Sequence, residues 1–125
     1  MNVRAVVAGV ADRSVDAWIC SQAAKALIDY LRTVDLQELA SMARRGEDLA
    51  GQLPARLDLP DIPFAKDKAV AYLRQANQAT YESIRQRVAS RLPQHAALLG
   101  LDSNKPWYYA AMDRMRERLI ADLGG

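Results

Sequence analysis

The chain has 125 residues, a length typical of one domain with one hydrophobic core, and half of its residues are hydrophobic. Alanine, leucine, arginine and glutamine are abundant while aromatic residues make up 6%, a composition that favours helix over sheet. A net charge of +2 excludes a polycation that binds nucleic acid through bulk charge, so any basic binding surface must be local.

Cysteine use and hydropathy exclude several classes of protein. The single cysteine, Cys20, cannot form an intrachain disulfide, and a thiol-ligated metal cluster lacks ligands. We therefore predict no metal and no cofactor, and a reducing, cytoplasmic location. The N-terminal apolar run is too short and too interrupted for a membrane span or a secretory signal, so we expect no membrane partner.

Residues 2–34 are predicted to form the first helix. Four valines at positions 3, 6, 7 and 10 share one helical face. The same face continues through Ala17, Cys20, Ala24, Leu27 and Leu31. A short β-strand over residues 3–8 is the alternative, because valine suits a pleated surface and Gly9 weakens a helix by about 1 kcal/mol. The unbroken spacing favours the helix.

A second helix is predicted to begin after Asp35, which forms a capping-box pattern with Glu38. Either Gly46 or Gly51 would end it. The following residues 53–64 contain three prolines and no amphipathic period, which indicates a stiff connector. Its apolar side chains are expected to pack along the bundle; an extended ligand segment for another protein is the alternative.

Residues 66–92 are predicted to form the longest and most basic helix, central to the fold. Its apolar stripe consists of Val70, Leu73, Asn77, Tyr81, Ile84, Val88 and Leu92. Asn77 would be a polar core residue bonded to backbone or water, or a contact that sets the register of another helix.

The remaining pattern predicts a short helix from Pro93 closed by Gly100, and a last helix from residues 103–106 to Leu123. The core stripe of the last helix would consist of Tyr108, Met112, Met115, Leu119 and Leu123. We therefore predict an all-α fold: one domain spanning residues 1–125, a compact bundle of four or five helices with the proline-rich connector.

Cations are concentrated in residues 66–92, where six oppose two carboxylates. Arg74, Gln78 and Arg85 lie on one flank of the predicted helix, with Arg87 and Arg91 on the other. Such flanks suit contact with a phosphate backbone, although a solvated face explains the same pattern. No zinc-finger, RNP or GXXG motif is present, so no element that reads bases is predicted.

The two tryptophans each precede a cation by seven residues on one helical face. Trp18 shares its face with Lys25 and Arg32, opposite the predicted core. Trp107 aligns with Arg114 and Arg118. Tryptophan beside arginine is typical of interface hot spots and of surfaces that stack on bases and contact phosphates. Alternatively, each indole packs under a neighbouring helix or loop.

No catalytic residues are predicted. His95 is the only histidine, and no serine or cysteine has an evident base partner, so a triad would be incomplete. No Walker, GxGxxG or HExxH pattern occurs. We expect a protein that is not an enzyme.

Together these patterns predict a small subunit of a larger assembly, with other protein subunits and RNA or DNA backbone as partners. Small, basic, all-helical subunits of CRISPR ribonucleoprotein complexes are similar in size and general composition, a similarity that rests on no shared motif. The alternatives are a protein-interaction adaptor or homo-oligomeric bundle without nucleic acid, and a small-molecule-binding regulator with a cavity lined by tyrosine and methionine. A helix-turn-helix pair within residues 93–123 ranks below these.

Overall fold

The computed structural model describes residues 3–53 and 65–124, with side chains from residue 15 onward. These residues form six α-helices and no strand, which confirms the all-α fold with more helices than predicted. The helices are α1 (Val3–Leu31), α2 (Leu36–Arg45), α3 (Lys66–Gln75), α4 (Gln78–Ala89), α5 (Pro93–Leu99) and α6 (Lys105–Asp122), with a short 3-10 turn at Ala50–Gln52. The proline-rich connector lies outside the described residues beyond Leu53, which is buried.

Helix α1 is continuous, so the alternative of a strand near its start is wrong. The predicted core face is buried at Cys20, Ala24, Leu27 and Leu31, but Ala17 is exposed. Val15, Ile19 and Ala23 are buried instead. The reason is that α1 packs against both α3 and α4, and its buried face is therefore wider than one stripe.

Helix α2 has the predicted N-terminal cap. The Asp35 carboxylate accepts a hydrogen bond of 2.7 Å from the backbone N–H of Glu38. Gly46, with a φ of 65°, ends the helix in the left-handed conformation, which favours glycine because a Cβ is absent. Of the two glycines that the sequence offered, Gly46 is thus the stop.

The predicted single helix over residues 66–92 is wrong, because Ala76 and Asn77 adopt non-helical backbone conformations that separate α3 from α4. The longest helix is α1 rather than this one. Asn77 is exposed and caps α4: its side chain accepts hydrogen bonds from the backbone N–H groups of Ala79 and Thr80, and Thr80 accepts one from the N–H of Asn77. Asparagine and threonine form such caps readily, and this outweighs the helical period.

Side chains of helix α6 form hydrogen bonds on both sides of the break between α3 and α4. Arg116 Nη1 donates a 2.8 Å hydrogen bond to the backbone carbonyl of Ala76, which satisfies a carbonyl at the end of α3. On the other side of the break, the Tyr81 hydroxyl donates to Asp113 at 2.5 Å. One face of α6 therefore sets the relative position of both helices.

The last helix supplies much of the core. Tyr108, Met112, Met115 and Leu119 are buried as predicted, while Leu123 is half-buried. The Tyr108 hydroxyl donates to the backbone carbonyl of Tyr81 at 2.6 Å. The alternative of a small-molecule-binding regulator predicts a cavity lined by tyrosine and methionine, for which Tyr81, Tyr108, Met112 and Met115 are the candidates. All four are buried in the same core.

Glu82 joins α4 to the start of α6. Its carboxylate accepts hydrogen bonds from the Tyr109 hydroxyl at 2.6 Å and from Arg85 Nε at 2.5 Å, with Lys105 Nζ 4.0 Å away. Partial desolvation raises the pKa of Glu82, but the hydrogen bonds from Tyr109 and Arg85 together with the two cations outweigh it and leave the pKa below its ordinary value.

Within the described residues, no helix combines the length and the apolar character needed to cross a membrane.

Removing the cap at the helix break should destabilise the fold. Asn77→Ala is expected to lower the free energy of unfolding by about 1 kcal/mol, because two N–H groups in the first turn of α4 lose their acceptor. Urea denaturation measures the change. Gln75→Ala, at an exposed position two residues earlier, serves as the control and should have little effect. Equal stability of Asn77→Ala and wild type would contradict the capping role.

Glu82 should contribute stability that depends on pH. Because its pKa is lowered in the folded state, the contribution is present above the unfolded pKa of about 4.3 and is lost as pH falls through the folded value. Glu82→Gln should therefore be less stable than wild type at about pH 7 and lose less stability between about pH 5 and pH 3. Denaturation at several pH values measures both effects.

The matched control for this variant is Glu117→Gln, whose carboxylate is 66% exposed in a surface ion pair with Arg116. It should change stability at about pH 7 by less than about 1 kcal/mol. Parallel pH profiles of wild type and Glu82→Gln would contradict the role assigned to Glu82.

Candidate functional site

Helices α1 and α4 lie side by side. Arg87 Nη1 donates a 3.1 Å hydrogen bond to Ser21 Oγ near the middle of α1. Beyond the ends of both helices, His95 Nε2 on α5 lies 2.8 Å from the backbone carbonyl of Val34, three residues after α1.

A groove with a volume of about 390 Å³ follows this helix pair on its outer side. It is lined by Ser21, Ala24, Lys25, Ile28, Asp29, Arg32, Arg87, Ser90 and Arg91. Four of these side chains are cations and one is a carboxylate, so the groove carries a marked positive charge. Lys25 and Arg87 lie on α1 and α4, and Arg32 and Arg91 lie just after these helices, which are far apart in the sequence.

Several features fix the geometry of the groove. Lys25 lies on α1 and Arg32 directly follows its last residue, about two turns farther along the same face, with the Arg32 N–H bonded to the Ile28 carbonyl. The Arg87 side chain is tethered to Ser21, and the Ser90 hydroxyl donates to the Arg87 carbonyl at 2.7 Å. A cation that is already positioned loses less conformational entropy when it binds an anion.

The chemistry of the lining suits a phosphate-bearing ligand. Guanidinium and ammonium groups bind phosphate oxygens strongly, and the Ser21 hydroxyl, which accepts from Arg87, supplies an additional donor. Ala24 and Ile28 provide a small apolar surface between the charges. Among the residues that line the groove no side chain is aromatic, so the groove itself is suited to a backbone rather than to bases.

The structure brings together four of the residues predicted from the sequence: Lys25 and Arg32 from the first helix, and Arg87 and Arg91 from the basic flank. The residues of the other predicted flank, which begins with Arg74, are not brought together. Arg74 and Gln78 are exposed on opposite sides of the helix break.

Arg85 is engaged in internal contacts. It is paired with Glu82, and its Nη1 donates to the Ala96 carbonyl at 3.3 Å. Its guanidinium lies so close to Gly100 that an added Cβ there would come within 2.7 Å of Nη1. Arg85 therefore links α4 to α5 and to the turn that follows it.

Trp107, Arg114 and Arg118 lie along one face of α6 and contact the segment that follows α2. Trp107 Nε1 donates to the Glu47 carbonyl at 2.5 Å, and Arg118 Nη1 donates to the Ala50 carbonyl at 2.7 Å. Arg114 Nη2 lies 2.7 Å from the Asp48 carboxylate. We call this set of contacts the α6 clamp; a role for its residues in partner binding stays a prediction.

Electrostatics in the α6 clamp favour the ionised form of Asp48. Partial desolvation raises its pKa, but the hydrogen bond and charge of Arg114, with backbone N–H groups of Gly51 and Ala50, lower it overall. The Asp48 side chain is 48% exposed, so solvent screens most of this interaction.

Trp18 is half-buried and packs against the hydrophobic core. It lies one helical turn before Ser21, at the N-terminal side of the groove. The prediction that it faces away from the core is therefore wrong in part, because the wide buried face of α1 includes some of its surface.

A half-buried polar cluster, which sequence reasoning missed, joins α1 to α3. The Tyr72 hydroxyl donates a hydrogen bond to Asp16, and Cys20 Sγ lies 3.6 Å from Asp16 and 3.5 Å from the Tyr72 hydroxyl. Burial raises the pKa of the Cys20 thiol, which keeps it protonated and makes it a poor nucleophile. Burial likewise raises the pKa of Tyr72.

Sequence reasoning also missed Ser21, Ser90 and Ile28 as lining residues, and it did not combine the two sets of cations. Spacing along one helix identifies which residues share a face, but it gives no information about which other helix lies beside that face. The one available signal is that the faces with Lys25 and Arg87 both carry excess positive charge.

No family model, curated protein or solved structure matches this chain.

The α6 clamp should stabilise the segment after α2. Trp107→Phe keeps most of the apolar surface but removes the indole N–H, so we expect a loss of about 1 kcal/mol in the free energy of unfolding. The amide protons of Gly51, Gln52 and Leu53, which bond within the 3-10 turn, should exchange faster with solvent. Hydrogen exchange measured by NMR tests this directly.

Arg114→Gln is the matched control, because it removes an ion pair whose side chains are 46% and 48% exposed. The expected loss is below about 1 kcal/mol. If Trp107→Phe left the exchange of those three amides unchanged, the clamp would not be holding the turn.

Proposed function

We propose that this chain is a small, non-enzymatic helical subunit of a larger assembly, and that it binds nucleic-acid backbone in the groove between α1 and α4 without reading base sequence. The observation that carries the proposal is the convergence of Lys25, Arg32, Arg87 and Arg91 on one groove opposed by a single carboxylate, Asp29. Contacts to phosphate oxygens fix a strand in position but carry no sequence information.

The charge of the groove also supports the assembly part of the proposal. A protein that neutralises about four phosphates gains a modest, strongly salt-dependent affinity. Useful occupancy at physiological salt then needs additional contacts, which neighbouring subunits supply by raising the effective concentration of the strand. A single groove of this size thus suits one subunit among several.

The chemistry of the remaining reactive side chains supports a binding role. Cys20, the only cysteine, is fully buried with a raised pKa. His95, the only histidine, has a ring nitrogen at the Val34 carbonyl, between α5 and the end of α1. Neither side chain lines the groove.

The proposal is tested by removing the groove charges. In a fourfold variant, Lys25, Arg32, Arg87 and Arg91 are each changed to Gln. In a control variant the same number of exposed cations outside the groove, Arg44, Arg45, Lys66 and Lys68, are changed to Gln. Fluorescence anisotropy of a labelled single-stranded oligonucleotide measures binding over a series of salt concentrations.

For wild type we expect log K to fall with log salt at a slope of about −3, the value for about four phosphate contacts on a single strand. The groove variant should bind far more weakly with a slope near zero, and the control variant should retain most of the wild-type slope. Equal losses in both variants would contradict a local groove. Undiminished binding by the groove variant would favour the alternative, an adaptor that contacts protein alone.

A further inference from the structure

We propose that the strand bound in the groove is RNA, and that the Asp29 carboxylate accepts a hydrogen bond from a ribose 2′-hydroxyl between phosphates bound by Lys25 and Arg32. This inference rests on the proposed function and adds to it the class of nucleic acid and the residue that selects it. The selection concerns the sugar, so the base sequence stays unread.

The first step of the argument is the position of Asp29 among the groove cations. Asp29 lines the groove together with Lys25, four residues earlier, and Arg32, three residues later. Each step is about one helical turn, so the carboxylate lies in a row between two cations that are about 10 Å apart along the helix axis. The α1 side of the groove therefore alternates in charge.

The second step is that local structure does not account for Asp29. Within the part of the chain whose side chains the structure describes, its carboxylate forms no hydrogen bond and no ion pair, although both cations are about one turn away. Asp29 lies in the last turn of α1, where the negative end of the helix dipole disfavours a carboxylate. Aspartate is also a poor helix former. The carboxylate thus weakens α1 slightly and lowers the positive charge of the groove, and contact with a ligand explains its place there.

The third step is the chemistry of the hydrogen-bond donors on the ligand. An ionised carboxylate only accepts hydrogen bonds, and it repels a phosphate that comes close to it. A nucleic-acid backbone alternates phosphates with sugars, and the one donor that it offers within the strand is the 2′-hydroxyl of ribose. A row of cation, carboxylate and cation therefore matches the phosphate, ribose and phosphate of an RNA strand. In DNA the carboxylate would face a sugar without a donor.

Oligonucleotides that differ only in the sugar provide the test. The probes are labelled uridine, deoxyuridine and 2′-O-methyluridine strands of about twelve nucleotides, within the range that single-strand sites cover. The methylated strand keeps the 2′-oxygen but lacks its O–H, which separates hydrogen-bond donation from the shape of the sugar. The variant is Asp29→Ala, and the control is Asp122→Ala, at an exposed carboxylate that ends α6. Fluorescence anisotropy measures the affinities at several salt concentrations.

For wild type we expect the uridine strand to bind at least about fivefold more tightly than either other strand, because only ribose with a free hydroxyl donates to Asp29. In Asp29→Ala this ratio should fall to about one. The deoxyuridine strand should bind this variant more tightly than wild type, because a repulsive charge is removed. Asp122→Ala should keep the wild-type ratio. Urea denaturation should show that Asp29→Ala is at least as stable as wild type, so unfolding does not cause the change.

Equal affinity of wild type for the uridine and deoxyuridine strands, with salt-dependent binding of both, would overturn this inference and leave the proposed function standing. A preference for the uridine strand that survives in Asp29→Ala would overturn it as well, because the 2′-hydroxyl would then be recognised elsewhere. The same holds if the methylated strand binds as tightly as the uridine strand, because no donor would be needed. Absence of salt-dependent binding by every strand would overturn both proposals.

Discussion

The packing of α1 against α4 is the contact on which the arrangement of the surface depends. Cys20 and Ala24 on α1 and Ile84 and Val88 on α4 are buried in one hydrophobic core, where the two helices pack against each other. Burial of this apolar seam removes nonpolar surface from water, the dominant favourable contribution to folding. It also brings like charges near one another along the outer edge, at an electrostatic cost that an anionic ligand would relieve.

The break between α3 and α4 shows how local hydrogen bonding competes with hydrophobic periodicity. The apolar residues before and after Asn77 continue one helical stripe, and most of them are indeed buried. A straight helix through position 77 would have placed an amide side chain on that stripe. Capping satisfies the amide and the first N–H groups of α4 together, while Arg116 satisfies the carbonyl at the end of α3. The two short helices can then turn relative to each other and still bury their stripes.

The residues that could be predicted from the sequence are those whose structure is decided locally. Asp35 and Pro93 begin their helices and Gly100 ends one as predicted, because the signals for helix ends are short-range. For the end of α2 the sequence offered Gly46 and Gly51, and the left-handed conformation of Gly46 decides between them. The start of α4 also has a local signal, because Asn77 and Thr80 form a capping pattern. The apolar period that runs through position 77 nevertheless favours one continuous helix. The groove could not be predicted, because it depends on which helix lies beside α1, and spacing within one helix does not contain that information.

The α6 clamp places different requirements on the residue types of the two segments that it joins. Trp107 and Arg118 donate to backbone carbonyls, at Glu47 and Ala50, and every amino acid provides such a carbonyl. The two bonds therefore require a side chain with an N–H donor at positions 107 and 118 of α6. The side chains at positions 47 and 50 take no part in them. Only Arg114 recognises a side chain, that of Asp48. As far as these hydrogen bonds are concerned, the residue types after α2 can vary while the path of the backbone stays the same.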